Sequence, residues 1–348
     1  MNRAEEQPIY LELMNILLEK INSGTYPVGS CLPSERVLAE TFRASRVSVR
    51  KTLDCLQEDG YIKKSANKRS VILKGGLENS GQTIAFAAVR PRDAMLDVYR
   101  MYYESLLMKC NVRGDTLYYV NISDPLPDIL KNIKFKAVIT TNNSVSSMKH
   151  AEELFGCVPK MALDILDTKF PAIGTDNVLG GRMAAEHLIA IGCRKLLFLG
   201  VANAYPPYYP FSERKQGFTD VASRSGADCS VIDLDNAFQE TVERAITEIL
   251  ESAGRPDAIF AFNDHLAISV LKALYKKRVH VPEDISVMGF DGLEIGRYMT
   301  PALTTIVQPF NAITNEVVRW LEGGCMETPI MKLSPEIRIM ESTQNRKK

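Results

Sequence analysis

The sequence predicts a multidomain α/β protein: an N-terminal unit of three helices and a hairpin, then a two-lobed body built on parallel sheets. Length is the first observation behind this. A chain of 348 residues is long for one domain, and its 45% hydrophobic and 24% charged content is that of an ordinary globular protein. The second is a break in pattern at residues 75–82, within "KGGLENSGQ", where glycines and polar residues interrupt any apolar periodicity. The third is the contrast on either side of it. Capped amphipathic helices precede this linker, and short apolar strands alternating with amphipathic helices follow it. Domains at 1–74 and 83–348 are the result.

In the first unit, Pro8 opens a helix whose apolar positions 9, 13, 16, 17 and 21 share one face, and Gly24 stops it. The loop "YPVGSCLP" leads to Ser34, an N-cap, with Glu35 in the favourable first turn of a second helix. Leu38, Ala39 and Phe42 give that helix its apolar face. Ser45 caps a third helix, lined inside by Val49, Leu53 and Leu56 and ended by Gly60. "YIKKSANKRSVIL" then alternates around a polar tip, as a short hairpin does.

In the body, strands are expected at 83–89, 116–120, 136–140, 160–164, 195–200, 230–234, 258–263, 286–290 and 304–308. Helical patterns fall between most of them, among them 95–109, 178–191, 237–252 and 264–276. Nearly continuous apolar strands imply parallel sheets covered on both faces. About 265 residues of this pattern exceed one small layer set, so two lobes with a cleft between them are expected.

Charge and composition exclude several classes. The net charge is zero, but residues 1–75 hold 12 Lys and Arg against 9 Asp and Glu, a mildly basic head on a mildly acidic body. The seven cysteines are scattered without a C-x-x-C pair, and the four histidines (150, 187, 265, 280) share no ligand spacing. Free thiols, a reducing compartment and no metal site are expected. "MNRAEEQPIY" lacks the apolar stretch of a secretory signal, and no run approaches the roughly 18 apolar residues of a membrane span. A cytoplasmic protein without membrane contact is expected.

The third helix suits a major groove. Its first turn presents Arg46, Val47, Ser48 and Arg50 while Val49 and Leu53 turn inward. An arginine can hold guanine O6 and N7 together, with ~1–3 kcal/mol of base discrimination, and Val47 suits a thymine methyl. Arg36 is placed for a phosphate. The hairpin segment carries Lys63, Lys64, Lys68, Arg69 and Lys74 with no acid between them, and such groups supply raw affinity by neutralising phosphates. A solvated, salt-bridged face is the plain alternative; the exposed basic turn followed by a basic hairpin favours DNA.

Through most of residues 8–64 the chain resembles the winged helix-turn-helix domain of the GntR regulator family. The marks are the Pro-x-Tyr opening, "SGTYPVGSCLPSER", "SRVSVRKTL" and "EDGYI". The resemblance implies DNA contact by Arg36, Ser45, Arg46, Val47, Ser48 and Arg50. Asn67 stands at the wing tip where the family usually has glycine. Asn tolerates the left-handed conformation, and wing contact with the minor groove would run through Lys68 and Arg69.

In parallel α/β sheets, ligands bind beyond the carboxyl ends of the strands. Those positions hold Arg90 and Arg92, Thr140–Asn143, Asp164, Asn263, Asp264, Asp291 and Gln308. Amides and carboxylates that each bridge two adjacent hydroxyls are the chemistry of sugar recognition. The aromatic loop "NAYPPYYPFSER" (203–214) supplies ring faces for sugar C–H groups. Singly, Asn263 and Asp264 read equally well as a helix cap, and Asp291 as the start of a turn. Residues 83–343 resemble the effector domain of LacI-type regulators and the periplasmic sugar-binding proteins. The resemblance rests on "GTDNVLGGRMAAEHLIAIGCRKLLFLG", "FSERKQGF", "PDAIFAFNDHLAISVLKAL", "VPEDISVMGFDG" and "TPALTTIVQP". It implies a cleft lined by Arg214, Asn263, Asp291 and Gln308, with Asp164 as the acidic residue of the other lobe and Arg90 as a first-strand contact. His187, within "AAEHLIAIG", reads as structural.

An enzyme is the main competing class. The chain lacks G-x-G-x-x-G after its first strand, the P-loop pattern and G-x-S-x-G, and no paired base and nucleophile can be named. A secreted sugar receptor would have no use for "LPSER". The expectation is a non-enzymatic, cofactor-free regulator that binds operator DNA as a homodimer and responds to a sugar. A sugar phosphate is the alternative effector. Helix 97–110 is a candidate dimer face, equally explained by core packing, and chain crossovers between the lobes are expected near 173, 307 and 326.

Overall fold

The computed structural model describes residues 9–22, 25–64, 70–73, 81–88, 96–122, 130, 133–141, 145–164, 171–201, 209–326 and 330–344. Lys68, Arg69, Arg90, Arg92 and most of the linker lie outside the described residues.

The head holds α1 (Ile9–Asn22), α2 (Glu35–Thr41), α3 (Arg46–Glu58) and an antiparallel pair, β1 (Ile62–Lys64) and β2 (Ser70–Ile72). Both expected caps form: Ser34 Oγ accepts from Val37 N at 3.4 Å, and Ser45 Oγ from Ser48 N at 3.0 Å. Between α2 and α3 the chain turns through Arg43 at φ 50°, and Gly60 ends α3 at φ 73°. Leu13, Leu17, Ile21, Leu38, Val49, Leu53, Leu56, Ile62 and Ile72 form one core.

The body contains two six-stranded sheets. The first has the order β13-β7-β6-β5-β3-β4, from β3 (Thr83–Ala88), β4 (Thr116–Asn121), β5 (Ala137–Thr140), β6 (Lys160–Leu163), β7 (Ala172–Thr175) and β13 (Met331–Leu333). All its pairings are parallel. It is covered by α4 (Leu96–Arg113), α5 (Val145–Phe155) and α10 (Phe310–Glu322). The second has the order β14-β12-β11-β10-β8-β9, from β8 (Lys195–Val201), β9 (Asp228–Leu234), β10 (Ala258–Ala261), β11 (Ser286–Asp291), β12 (Thr304–Val307) and β14 (Glu336–Arg338). It is parallel except for β14, which runs antiparallel to β12. Its core includes residues of α6 (Asn177–Ala190), α7 (Tyr209–Ser225), α8 (Gln239–Glu251) and α9 (Asp264–Lys276).

The chain passes between lobes three times: after β7 at Thr175–Asn177, after β12 at Val307–Phe310, and between β13 and β14 at Leu333–Glu336. The third passage therefore lies near 334, not near 326. The turn after α10 leaves the chain in the first lobe, and Met331–Leu333 pairs with Ile173–Thr175 before crossing. Asp176 N donates to Leu333 O at 2.8 Å, so the first and third passages run side by side. Strands β7, β13 and β14 are absent from the expected set. They are four, three and three residues long, β7 contains Gly174, and β13 and β14 are edge strands without buried alternation.

Helix α4 buries Val98, Tyr99, Tyr102, Leu106 and Cys110 in the first lobe, and Met108 and Val112 pack against the head. Core packing accounts for its apolar residues, and its exposed positions include Arg100 and Glu104. The head docks on α4 and α10 through polar groups as well. Lys109 Nζ pairs with Asp59 Oδ1 at 3.1 Å, the two side chains being 11% and 4% exposed, and donates to Asn311 Oδ1 at 2.8 Å. Asn311 Nδ2 reaches Glu58 Oε2 at 3.4 Å.

Candidate functional site

On the head, the first turn of α3 faces solvent. Arg46 and Arg50 are exposed, Ser48 is half-buried, and Val47 is 80% exposed, an apolar side chain standing free in solvent. Arg46 has no ion pair among the described residues. Arg36 and Arg50 are engaged within the head: Arg36 Nη1 with Glu40 Oε1 at 3.0 Å and Arg50 Nη2 with Glu35 Oε2 at 3.1 Å. Exposed pairs of this kind contribute little to stability, so a phosphate or base can replace the carboxylate. Ser45 Oγ is occupied by the cap and by Ser48 Oγ at 2.9 Å.

In the body, the predicted cleft residues that are described, Asp164, Arg214, Asn263, Asp291 and Gln308, lie where the two sheets face each other. Arg214 is buried in α7. Its Nε donates to Asn177 Oδ1 at 2.8 Å and its Nη1 to Phe262 O at 2.7 Å, and the same Nη1 lies 3.3 Å from Asp291 Oδ1. The guanidinium carbon sits 3.6 Å from the centre of the Phe290 ring, a stacked cation–π contact. Burial lowers the Arg214 pKa, and Asp291, Asp164 and Asp264 oppose that shift.

Sequence reasoning named Arg214 but missed the groups that hold it. Asn177 is one. The others are glycines at the crossing of α6 and α7. A Cβ on Gly181 would lie 2.1 Å from Arg214 O, and one on Gly217 would lie 2.0 Å from Val178 O. A Cβ on Gly180 would strike the Phe290 ring at 2.6 Å. The signal was present in "NVLGG" and "KQGF": glycines within amphipathic helices mark close approach.

Asp291 ends β11 at φ 115° and accepts from Gln308 Nε2 at 2.7 Å. Burial raises its pKa to about 6, against the pull of Arg214 and Gln308. Gln308 Oε1 accepts from Thr175 Oγ1 at 2.8 Å, which ties the second passage to the end of β7. Asp164, half-buried and at φ 60° just past β6, accepts from Thr175 N at 3.2 Å, and burial raises its pKa too. Thus Asp164, Thr175, Gln308, Asp291 and Arg214 form one polar ribbon from lobe to lobe.

Asn263 caps α9, its Oδ1 accepting from Leu266 N at 2.8 Å, which leaves its amide nitrogen for another acceptor. Asp264 is wholly buried and structural. It accepts from Thr305 Oγ1 at 2.6 Å and Leu293 N at 2.7 Å, and burial raises its pKa well above the usual carboxylate range. His187 contacts Thr343 Oγ1 at 2.9 Å, in keeping with a structural role. Among the described residues, polar side chains also meet across the lobes: His265 Nε2 lies 2.8 Å from Asp97 Oδ2, and Lys332 Nζ pairs with Glu213 Oε1 at 2.8 Å. The sequence did not announce them, because each joins residues more than 100 positions apart. Of the aromatic loop, Phe211 packs on Phe262 at 4.2 Å, while Tyr205 and Tyr208 lie outside the described residues. No group of His, Cys, Asp and Glu that could hold a metal occurs among the described residues, and all seven cysteines are free. No helix among them is long and apolar enough to cross a membrane.

These features define a two-lobed ligand-binding body joined to a helical DNA-reading head. Comparison with known proteins agrees. Residues 185–345 match the periplasmic binding protein-like domain family, and residues 9–72 match the bacterial regulatory proteins of the gntR family. The chain is 34% identical to the HTH-type transcriptional repressor PurR of Vibrio atlanticus over 251 residues, covering 69% of this chain and 72% of that one. It is 23% identical to the ribose operon repressor of Halalkalibacterium halodurans over 326 residues, 88% of this chain and 97% of that one. Among solved structures, a LacI family regulator from Enterococcus faecium with bound ribose superposes with a TM-score of 0.64 at 20% identity, over 76% of this chain and 100% of that one. A periplasmic binding protein/LacI regulator from Alkaliphilus metalliredigens complexed with D-xylulofuranose gives 0.61 at 24%, over 75% and 99%. The chain belongs to the bacterial transcription regulators with a LacI-type effector body, and it carries a GntR-family DNA-binding head.

Proposed function

We propose that this chain is a sugar-responsive transcription regulator that binds operator DNA through its head and a neutral monosaccharide in the cleft of its body. One observation carries the sugar reading: Arg214, Asn263, Asp291, Gln308 and Asp164 converge at the facing strand ends of two lobes. Amide, carboxylate and guanidinium groups there alternate as donors and acceptors around a stacked ring. The charge balance argues against a phosphorylated effector. Among the described residues one guanidinium faces three carboxyl groups, and it already serves Asp291.

In this reading residues 1–74 read DNA, 75–82 link, and 83–348 sense the sugar. Arg46, Val47, Ser48 and Arg50 read bases, while Ser45 and Arg36 address the backbone, joined by Lys68 and Arg69 of the wing. Arg90 adds a cleft contact from the first strand. A homodimer places two α3 helices in successive major grooves, roughly 34 Å apart. Exposed Tyr275, Ile295, Tyr298 and Ile339 of the second lobe support a protein-facing surface there. Because the head is anchored to the first lobe through Asp59, Lys109 and Asn311, movement of that lobe carries the reading helix with it. Sugar closes the lobes and releases the operator, with a coupling of about 1–3 kcal/mol.

A thermal-shift panel of neutral monosaccharides and their phosphates tests this reading, followed by duplex binding with and without the best ligand. Stabilisation by a neutral sugar that also changes duplex affinity is expected. Stabilisation by phosphates alone, or by none of the panel, would overturn it.

A further inference from the structure

Tyr102 is among the largest wholly buried side chains of the described residues. Its ring, carried on α4, lies edge-on to Phe310 of α10, centroids 4.9 Å apart. A buried phenol normally finds a hydrogen-bond partner. Here the hydroxyl closes no hydrogen bond of sound geometry, although the Asp164 carboxylate and the Thr175 hydroxyl lie beside it and the charge of Asp291 is within reach. Burial and the Asp164 carboxylate push the phenol well above its usual pKa, so it stays a neutral donor. A phenylalanine would pack the same ring without an orphaned oxygen, and leaving a buried donor unmet costs stability. Nearby at this end of the sheet, the buried hydroxyls of Thr140 and Thr141 are also without hydrogen-bond partners. Unmet hydroxyl capacity therefore collects on the first-lobe side of the cleft, beside the carboxylate of Asp164.

We propose that Tyr102 is a specificity-determining residue of this cleft: its hydroxyl donates to one ligand hydroxyl that in turn donates to Asp164, so the pair reads the presence of that hydroxyl. A sugar hydroxyl accepts and donates at once, which is what a phenol beside a carboxylate requires. A deoxy sugar leaves the phenol as unsatisfied as it was without ligand. A site built to bond a hydroxyl rejects the analogue that lacks it far more strongly than an apolar pocket distinguishes a methylene. The inference rests on the sugar reading of the cleft, and the test separates the two.

The variant is Tyr102→Phe in the full chain, which removes one oxygen and keeps the ring. Calorimetric melting without sugar and titration calorimetry are the measurements. The ligands are D-ribose, D-xylose, L-arabinose and D-glucose, then the monodeoxy derivatives of whichever sugar binds best. Without sugar, the variant should melt at the same temperature or higher. Its affinity for the best sugar should fall about 10- to 100-fold. One deoxy derivative, rejected by the wild type, should bind the variant about as well as the parent sugar does. If the wild type binds a sugar and the variant binds it within twofold, Tyr102 only fills space and the inference is overturned. A variant that melts lower while keeping its affinity overturns it equally. If the wild type binds none of the four sugars, the sugar reading fails, and the inference fails with it.

Discussion

Replacing Gly181 with alanine should loosen the α6–α7 crossing and displace the guanidinium of Arg214. The added Cβ would lie 2.1 Å from Arg214 O, where ordinary contact begins near 3.4 Å, so the helices must part by roughly 1.3 Å. The obstacle is backbone, which cannot rotate aside. Overpacking of this kind costs about 1–3 kcal/mol, and a rigid obstacle places it at the upper end. Alanine also recovers about 1 kcal/mol of helix propensity. The clash wins, leaving a net loss of about 2 kcal/mol. That corresponds to a fall of about 4–8 °C in the melting transition of the second lobe. The 2.8 Å bond from Arg214 Nε to Asn177 is broken by the same movement, so affinity for the cleft ligand should fall as well. Calorimetry of Gly181→Ala beside Gly254→Ala checks it, since a Cβ on Gly254 meets nothing within 4 Å and that variant should be neutral. Equal melting of the two variants would refute the close-approach argument.

Three other outcomes are expected. Arg46→Ala should weaken duplex binding by about 1–3 kcal/mol in a filter or anisotropy assay and leave sugar affinity unchanged; an equal loss of both would sink the division into reader and sensor. Asp291 has its folded pKa, about 6, above the ordinary value of 3.8, so its proton stabilises the fold below pH 4 and that contribution is lost as pH rises through 6. A ligand that donates to its carboxylate should therefore lose about tenfold in affinity per pH unit below 6. Asp291→Asn should flatten that dependence in titration calorimetry, and a profile unchanged by the substitution would remove Asp291 from the contact. Lys109→Met leaves Asp59 buried beside an apolar chain and should cost about 3–5 kcal/mol of docking, seen as earlier proteolysis of the head; the double variant with Asp59→Leu should recover part of it.

Much of this architecture was legible because it rests on local chemistry. Ser34 and Ser45 cap helices whatever surrounds them, and the apolar faces of α1 and α3 follow from 3.6-residue periodicity. The apolar strands announced parallel sheets for the same reason. Asp164, Asn263, Asp291 and Gln308 were candidates because ligand positions in such sheets lie at strand ends, whereas Arg214, on a helix, was named only through the family resemblance. Strand β7 was not legible, since Gly174 weakens the strand pattern and is needed so that Asp164 can approach: a Cβ there would lie 2.9 Å from Asp164 Cα. The third passage was misplaced because three-residue edge strands carry too few side chains to show a period.

A capped basic helix, an α/β body and a set of polar strand ends are written into the order of the residues. Those features depend on neighbours along the chain. Which polar groups share one site became visible only in the folded molecule. There Asn263 caps α9, Asp264 serves the fold, and His265 meets Asp97 across the lobes. There too α4 runs from Asp97 at the cleft, past Tyr102, to Lys109 beneath the head. Pairings between residues tens to hundreds of positions apart are set by packing and burial, which no local pattern encodes.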